Sequence, residues 1–283
     1  MVLDRIRTRN IAGGTDMTLP LSRHLLAKRL LAGVASAMLC LVAAVDAEAD
    51  PVRLRADYWC PYNCDPGEKY PGYMIEIAQR AMARLGIVVD YQLMPWDRAM
   101  SEVRDGRIDG AVGATALEAD GLILSDPLGM DADCFFVTPQ SRWRYDGIES
   151  LHGVLIGAAS GYTHDEGPID AYIAANDRPQ GRVTTTTGDD ASLRNIRLLL
   201  VGRVDVILDS RSVVAMEAAR QGQAKNLVTA GCLEALPIHI ALSPRNKDAA
   251  RLVGALREEV GELRKSGRLA KIMGHYGLND WQP

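Results

Sequence analysis

The feature that most limits what this chain can fold into is a change of hydrophobic period that recurs from Val52 onward. Val52 to Asp57 alternates apolar and charged residues as a strand does, and the Pro, Gly, Asn and Asp of residues 61 to 72 follow as a loop. From Tyr73 to Leu85 the apolar residues Met74, Ile77, Ala78, Ala81, Met82 and Leu85 recur at helical spacing, and Gly86 supplies a stop. Ile87 to Leu93 predicts a second strand, residues 96 to 105 a short amphipathic helix ended by Gly106, and Ile108 to Val112 a third strand. Strand and helix in strict alternation predict a parallel sheet covered by helices, with ligands at the carboxyl ends of its strands.

An extended segment at Phe135 to Thr138 separates this unit from a second one built the same way. Its expected strands are Val154 to Ala158, Arg182 to Thr187 and Val204 to Leu208, with helices near Gly167 to Ala175, Ala191 to Val201 and Ser212 to Gln221. Another extended stretch, Leu236 to Leu242, precedes a long amphipathic helix from Asp248 to Lys265 and a last one near Leu269 to Tyr276. Two units of about 100 residues each are of ordinary domain size. The order of elements alone leaves open which unit the tail joins.

The first fifty residues follow a different logic. Arg23, Lys28 and Arg29 precede an apolar run from Leu30 to Val45, and Ala47 and Ala49 bracket Glu48 in an A-x-A pattern. That pattern predicts a cleavable signal peptide over residues 1 to 49, with Met17 as an alternative start, and hence an exported, periplasmic protein. The run is short of the roughly 20 residues a spanning helix needs. Leu39 before Cys40 argues against lipid attachment. Without residues 1 to 49 the chain keeps 26 Lys and Arg against 32 Asp and Glu, a net charge of −6. An acidic protein of this kind is a poor partner for nucleic acid.

Export frames the cysteines. Cys60 and Cys64 form a close pair expected to bridge across a turn. No second Cys or His pair follows at ligand spacing, so no metal site and no cofactor is expected.

Several segments in order carry a family likeness. They are Pro71-Gly72-Tyr73-Met74-Ile75-Glu76-Ile77, Trp96-Asp97 with Gly106-Arg107-Ile108-Asp109, Ser125-Asp126-Pro127, Gly202-Arg203-Val204-Asp205 with Asp209, and Ser266-Gly267-Arg268-Leu269 to Tyr276-Gly277. Together, over residues 52 to 281, they resemble the bacterial periplasmic solute-binding proteins of extracellular family 3, the polar-amino-acid type. The resemblance implies an α/β protein of two Rossmann-like lobes joined by two crossover strands, the type II periplasmic binding protein fold. It implies lobe 1 from residues 50–137 and 238–283, lobe 2 from residues 138–237, and crossovers near Phe135 to Thr138 and Leu236 to Leu242. Cys134 and Cys232 fall near those crossovers and are expected to be two buried free thiols, because a disulfide across a hinge would hinder its motion.

The same resemblance implies the ligand site. Trp59 and Tyr62 follow the first strand, where an aromatic meets the ligand, and Trp96 takes the place of a second; the alternative for Trp96 is simple packing of its helix on the sheet. Tyr162 and Thr163 lie in the second-lobe loop that meets the ligand, and Asp209 matches the carboxylate that takes an amino group, or else caps the helix after it. Thr115 is retained, but Glu118 stands where amino-acid binders carry the Arg that grips an α-carboxylate, and Gly113 stands where a hydroxyl residue is expected. Two carboxylates and tryptophans suit a cationic or neutral amine better than an ordinary amino acid held in the usual way; the alternative is that Glu118 turns to solvent. The function implied is capture of a small polar ligand, an amino acid or an amine, by a monomer that delivers it to an inner-membrane ABC permease. The alternatives are a periplasmic enzyme of the cyclohexadienyl-dehydratase type and a sensing domain for a membrane receptor. A Ser-His-Asp arrangement is not expected, since Ser160 and His164 have no third partner evident in the sequence.

Overall fold

A computed structural model describes residues 50–282, so the expected signal peptide over residues 1–49 lies outside the described residues. The first unit builds as its periodicity dictates: β1 (Val52–Ala56), α1 (Tyr73–Ala83), β2 (Val89–Leu93), α2 (Trp96–Arg104) and β3 (Gly110–Ala114). β1 lies between β2 and β3 and is parallel to both. Helices on its faces leave a central strand little contact with water, so Leu54, Arg55 and Ala56 are all buried. The Arg55 guanidinium is accommodated by the carbonyls of Leu54 and Asp90 and by the Asp90 carboxylate. α1 begins at Gly72, whose φ of 108° is open to glycine, and where a Cβ would collide with the Tyr62 carbonyl.

Two short strands follow, β4 (Ile123–Leu124) and β5 (Gly129–Asp131). The chain then enters the second sheet with β6 (Asp133–Val137), β7 (Ile156–Ala159), α3 (Pro168–Asn176), β8 (Val183–Thr186), α4 (Ala191–Leu200), β9 (Val206–Ser210), α5 (Arg211–Arg220) and β10 (Val228–Cys232). Its strand order is β10-β6-β9-β7-β8. β11 (Leu236–Leu242) then returns to the first sheet, antiparallel to β3, β4 and β5, and α6 (Ala249–Lys265) and α7 (Arg268–His275) close that lobe. α6 buries Leu252, Leu256, Val260 and Leu263 in the same core as Met74, Ile77 and Met82 of α1. The tail therefore belongs to the first lobe. Among the described residues no helix is long and apolar enough to cross a membrane.

Two expectations are corrected here. Residues 133–137 were expected in the first lobe, but β6 pairs with β9 and β10. An extended segment carries no mark of which sheet will accept it, so the crossings fall earlier than expected, at Ala132 and at residues 233–235. The second correction follows from the first. Cys134 and Cys232 are not free thiols: they face each other in register on β6 and β10 and are joined by a disulfide with a Cα–Cα distance of 3.9 Å. Because both strands lie in one sheet, this bond does not span the hinge, and the objection to it disappears. Cys60 and Cys64 are likewise bonded, with Cα atoms 4.5 Å apart.

Candidate functional site

The ends of β1 and β3, the β5–β6 crossing, the loop after β7 and the start of β11 converge on one small cavity. It is lined by Asp57, Trp59, Trp96, Val112, Gly113, Thr115, Glu118, Asp131, Asp133, Tyr162, Thr163, His164, Glu234, Leu236 and Ile238. Five of these are carboxylates, and none is Lys or Arg. The volume is about 50 Å³, several times the 10–15 Å³ or so that holds one water. No group of three or more His, Cys, Asp and Glu among the described residues is arranged to hold a metal ion.

Trp59 is positioned by a tight turn after β1: its N–H donates to the Asn63 carbonyl, the Asn63 amide donates to the Asp57 carbonyl, and Cys60–Cys64 locks the turn. Gly113 explains itself against that indole. It has a φ of 107°, and a Cβ on it would come within 3.3 Å of the Trp59 ring. A side chain at 113 and the indole compete for one space, so with Trp59 in this position there is little room for the expected hydroxyl residue. Trp96, at the start of α2, donates its Nε1–H to Glu118 Oε1 at 3.0 Å, so it lines the cavity and packs its helix at once.

Glu118 turns inward. Besides Trp96 it accepts from the backbone N–H of Thr115 at 3.0 Å, from the Thr115 hydroxyl at 3.2 Å and, at 3.4 Å, from the N–H of Thr163 in the other lobe. Burial raises its pKa above the usual carboxylate range against these donors, which lower it. Asp57 is fully buried, accepts the Tyr162 hydroxyl at 2.5 Å, and is pushed up to about 7 by loss of solvent. Asp131 is also pushed up to about 7, by burial first and then by the charge of Asp133, although it accepts from Tyr62 and Ser210.

The sequence placed Ser160 and His164 without a third partner, but His164 has one. Its Nδ1 lies 2.6 Å from Asp133 Oδ2. Burial alone would lower its pKa; the carboxylates of Asp133, Asp170 and Asp209, Asp133 foremost, together more than offset this and raise it.

Tyr62 and Asp209 do not line the cavity. Tyr62 is 1% exposed, packed behind Trp59 with ring centroids 4.2 Å apart and the ring planes tilted by 31°, and donates to Asp131. Asp209, at the carboxyl end of β9, is fully buried and accepts the N–H of Ser210, with its pKa pushed up to about 7 by burial. It is Ser210, not Asp209, that caps α5, through its hydroxyl and the N–H of Val213. Asp57, Asp131, Asp133, His164 and Glu234 were missed. Asp57 and the pair at the crossing stand at strand ends, where the parallel-sheet rule already looks for ligands.

The two lobes meet directly. Across the cleft run Tyr162–Asp57, Ser160 Oγ to Asp97 at 2.8 Å, and the Tyr58 N–H to the Asp189 carbonyl at 2.6 Å. Gly161, with φ 81°, is needed for that approach, since a Cβ there would overlap the Asp97 carboxylate. Outside the cavity, Arg220 at the end of α5 makes a paired contact with Glu68 at 3.0–3.1 Å.

The model for bacterial extracellular solute-binding proteins, family 3, matches residues 54–279, and the chain belongs to that family. Its fold is that of the type II periplasmic binding proteins. Similar solved structures include a histidine kinase sensor domain with similarity to periplasmic binding proteins, at TM-score 0.66 and 21% identity over 81% of this chain and 98% of that one. A variant of the ArgBP of T. maritima gives TM-score 0.66 and 19% identity over 82% and 96%. The arginine-, lysine-, histidine-binding protein ArtJ of Geobacillus stearothermophilus gives 0.65 and 17% over 81% and 96%. No curated protein matches the chain in sequence.

Proposed function

We propose that this is a periplasmic binding protein, not an enzyme, that closes its two lobes on a compact organic cation and, as a monomer, hands it to an inner-membrane ABC permease. The observation that carries this reading is the lining: five carboxylates and two tryptophan faces with no Lys or Arg. An ammonium meets charge-assisted acceptors there, and its carbon substituents meet π-faces. Thr115 and Thr163 act through Glu118, holding its carboxylate in place, and Tyr162 closes over the site through Asp57. Tyr62 and Asp209 support the site from behind. A small amine also suits the family's membership and the acidic character of the whole chain.

A second reading, ligand sensing for a membrane receptor, is favoured by the likeness to a histidine kinase sensor domain. The binding step is the same in both, and only the partner differs. Thermal unfolding of the purified protein against amines, quaternary ammonium compounds, amino acids, sugars and dicarboxylates tests the common step. A ligand at 100 times its Kd stabilises by about 2.7 kcal/mol. The cation reading predicts a raised midpoint with amines; a shift with dicarboxylates or sugars alone, or slow consumption of a panel compound, overturns it.

A further inference from the structure

Two buried side-chain nitrogens of this acidic cavity have no partner, an indole N–H and an imidazole Nε2 that donates when the ring is charged. His164 has a side chain 1% exposed and lines the cavity; its Nδ1 is taken by Asp133, while its Nε2 is buried without a hydrogen bond. Trp59 Nε1, on the opposite lobe, is likewise buried and unpaired, and an indole N–H can only donate. Leaving a buried polar atom unpaired is costly, and native proteins rarely do so without a ligand or water to meet it.

The Asp133 carboxylate fixes the imidazole: Nδ1–H donates to it, and the ring in its charged form presents Nε2–H to the cavity. The other acidic groups acting on this imidazole, Asp170 and Asp209, favour the same charged form. Asp133 is thereby engaged by a protein cation, leaving Glu118 and Asp57 across the cavity for the cationic part of a ligand.

We propose that His164 Nε2–H and Trp59 Nε1–H together anchor an acceptor oxygen of the ligand, so that the cleft selects a short molecule carrying a carboxylate or carbonyl oxygen as well as a cationic group. In this chain the imidazolium and indole then do what a guanidinium at position 118 would do, from the other side of the site. The inference rests on the cation reading and sharpens it to a bifunctional ligand.

Calorimetric titration of the purified protein with two matched sets tests it: β-alanine, its amide and ethylamine; and glycine betaine, its amide and tetramethylammonium. The expected result is that, in at least one set, the oxygen-bearing members bind tenfold or more tighter than the plain amine. A carboxylate equal to its amide identifies a neutral acceptor as sufficient; a carboxylate stronger than its amide identifies an anionic one. In His164→Phe that preference should collapse toward unity, with Trp59→Phe reducing it less. Plain amines binding as well as their oxygen-bearing partners overturn the inference while leaving the cation reading intact, and need no variant to fold. If no member of either set binds, both fail together.

Discussion

Each lobe contains one disulfide, and the two are placed for opposite purposes. Cys134–Cys232 joins neighbouring strands at the edge of the second sheet and closes a sequence separation of 98 residues; neither cysteine lines the cavity, but Asp133 and Glu234 beside them do. Cys60–Cys64 closes a separation of four, inside the turn that aims Trp59. Chain entropy makes the long loop the stronger stabiliser, while position makes the short one the functional constraint. The second lobe is thus stapled where the chain enters and leaves it, whereas the first is stapled within the single turn that carries Trp59.

Replacing both Cys134 and Cys232 by Ser is therefore the largest stability change expected, about 5 kcal/mol by loop-closure entropy, or roughly 10 °C in midpoint, with ligand affinity altered less than in the Cys60, Cys64 variant because β6 stays paired with β9 at Asp133. The Cys60, Cys64 double serine variant should cost about half as much stability yet weaken ligand binding several-fold. Chemical unfolding and calorimetry on the two variants decide it. Equal binding losses in both would remove the distinction between staple and aiming device.

The two walls of the cavity differ in the same way. On the first lobe Glu118 has its oxygens held by Trp96 and Thr115, so its orientation is fixed before ligand arrives. On the second, His164 is held at one nitrogen and open at the other. Glu118→Gln keeps the shape and removes the charge. It should weaken amine binding about 30-fold, in line with a charge-assisted hydrogen bond of about 2 kcal/mol. A change under threefold would mean that Glu118 serves only to hold Trp96.

A smaller, roughly tenfold effect should come from pH. Asp57 and Asp131 are raised to about 7, above their ordinary 3.8. Between about pH 4 and 7 the free native state thus holds protons that the unfolded chain has lost, and its stability falls as pH rises through that window. His164, also raised, acts in the same direction. A cation needs the ionised carboxylates, so its affinity should rise about tenfold from pH 6 to pH 8 if one such group must ionise. Opposite slopes for free stability and for amine binding are the signature; parallel slopes would place the titrating groups away from ligand.

Much of this architecture is legible in the sequence because periodicity reports burial. Leu236–Leu242 and the helices beginning at Tyr73, Trp96 and Ala191 fall where the apolar spacing puts them. Pairing is not written in period. Nothing in Asp133–Val137 says that it joins β9 and β10, and that one ambiguity hid both the crossing point and the Cys134–Cys232 bond. In the site, Trp59, Trp96, Thr115, Glu118, Tyr162 and Thr163 line the cavity, since each stands on a local pattern at a strand end or helix start. Asp133 and His164, 31 residues apart, meet only through the sheet that brings β6 and the loop after β7 together. Asp209 is expected as a ligand contact because it matches the family's second-lobe carboxylate, but the Ser210 N–H and the closed core take it out of the cleft.

The smallest effect lies at the rim, where the lobes differ again: the second contributes a cation and the first its partner. Arg220, one third exposed, grips Glu68 with both terminal nitrogens and touches the Tyr58 hydroxyl, which in turn donates to Glu217. The contact exists only when the lobes are closed, so it biases the open–closed equilibrium without touching ligand. Exposed ion pairs contribute about 0.2–1 kcal/mol; Arg220→Ala should therefore weaken amine binding by about threefold at most, mainly through faster dissociation, and the difference should shrink in high salt. Dissociation rates of the variant and wild type at low and high salt check this. A loss beyond tenfold, or one indifferent to salt, would show that the rim positions the cavity and is more than a clasp on the closed form.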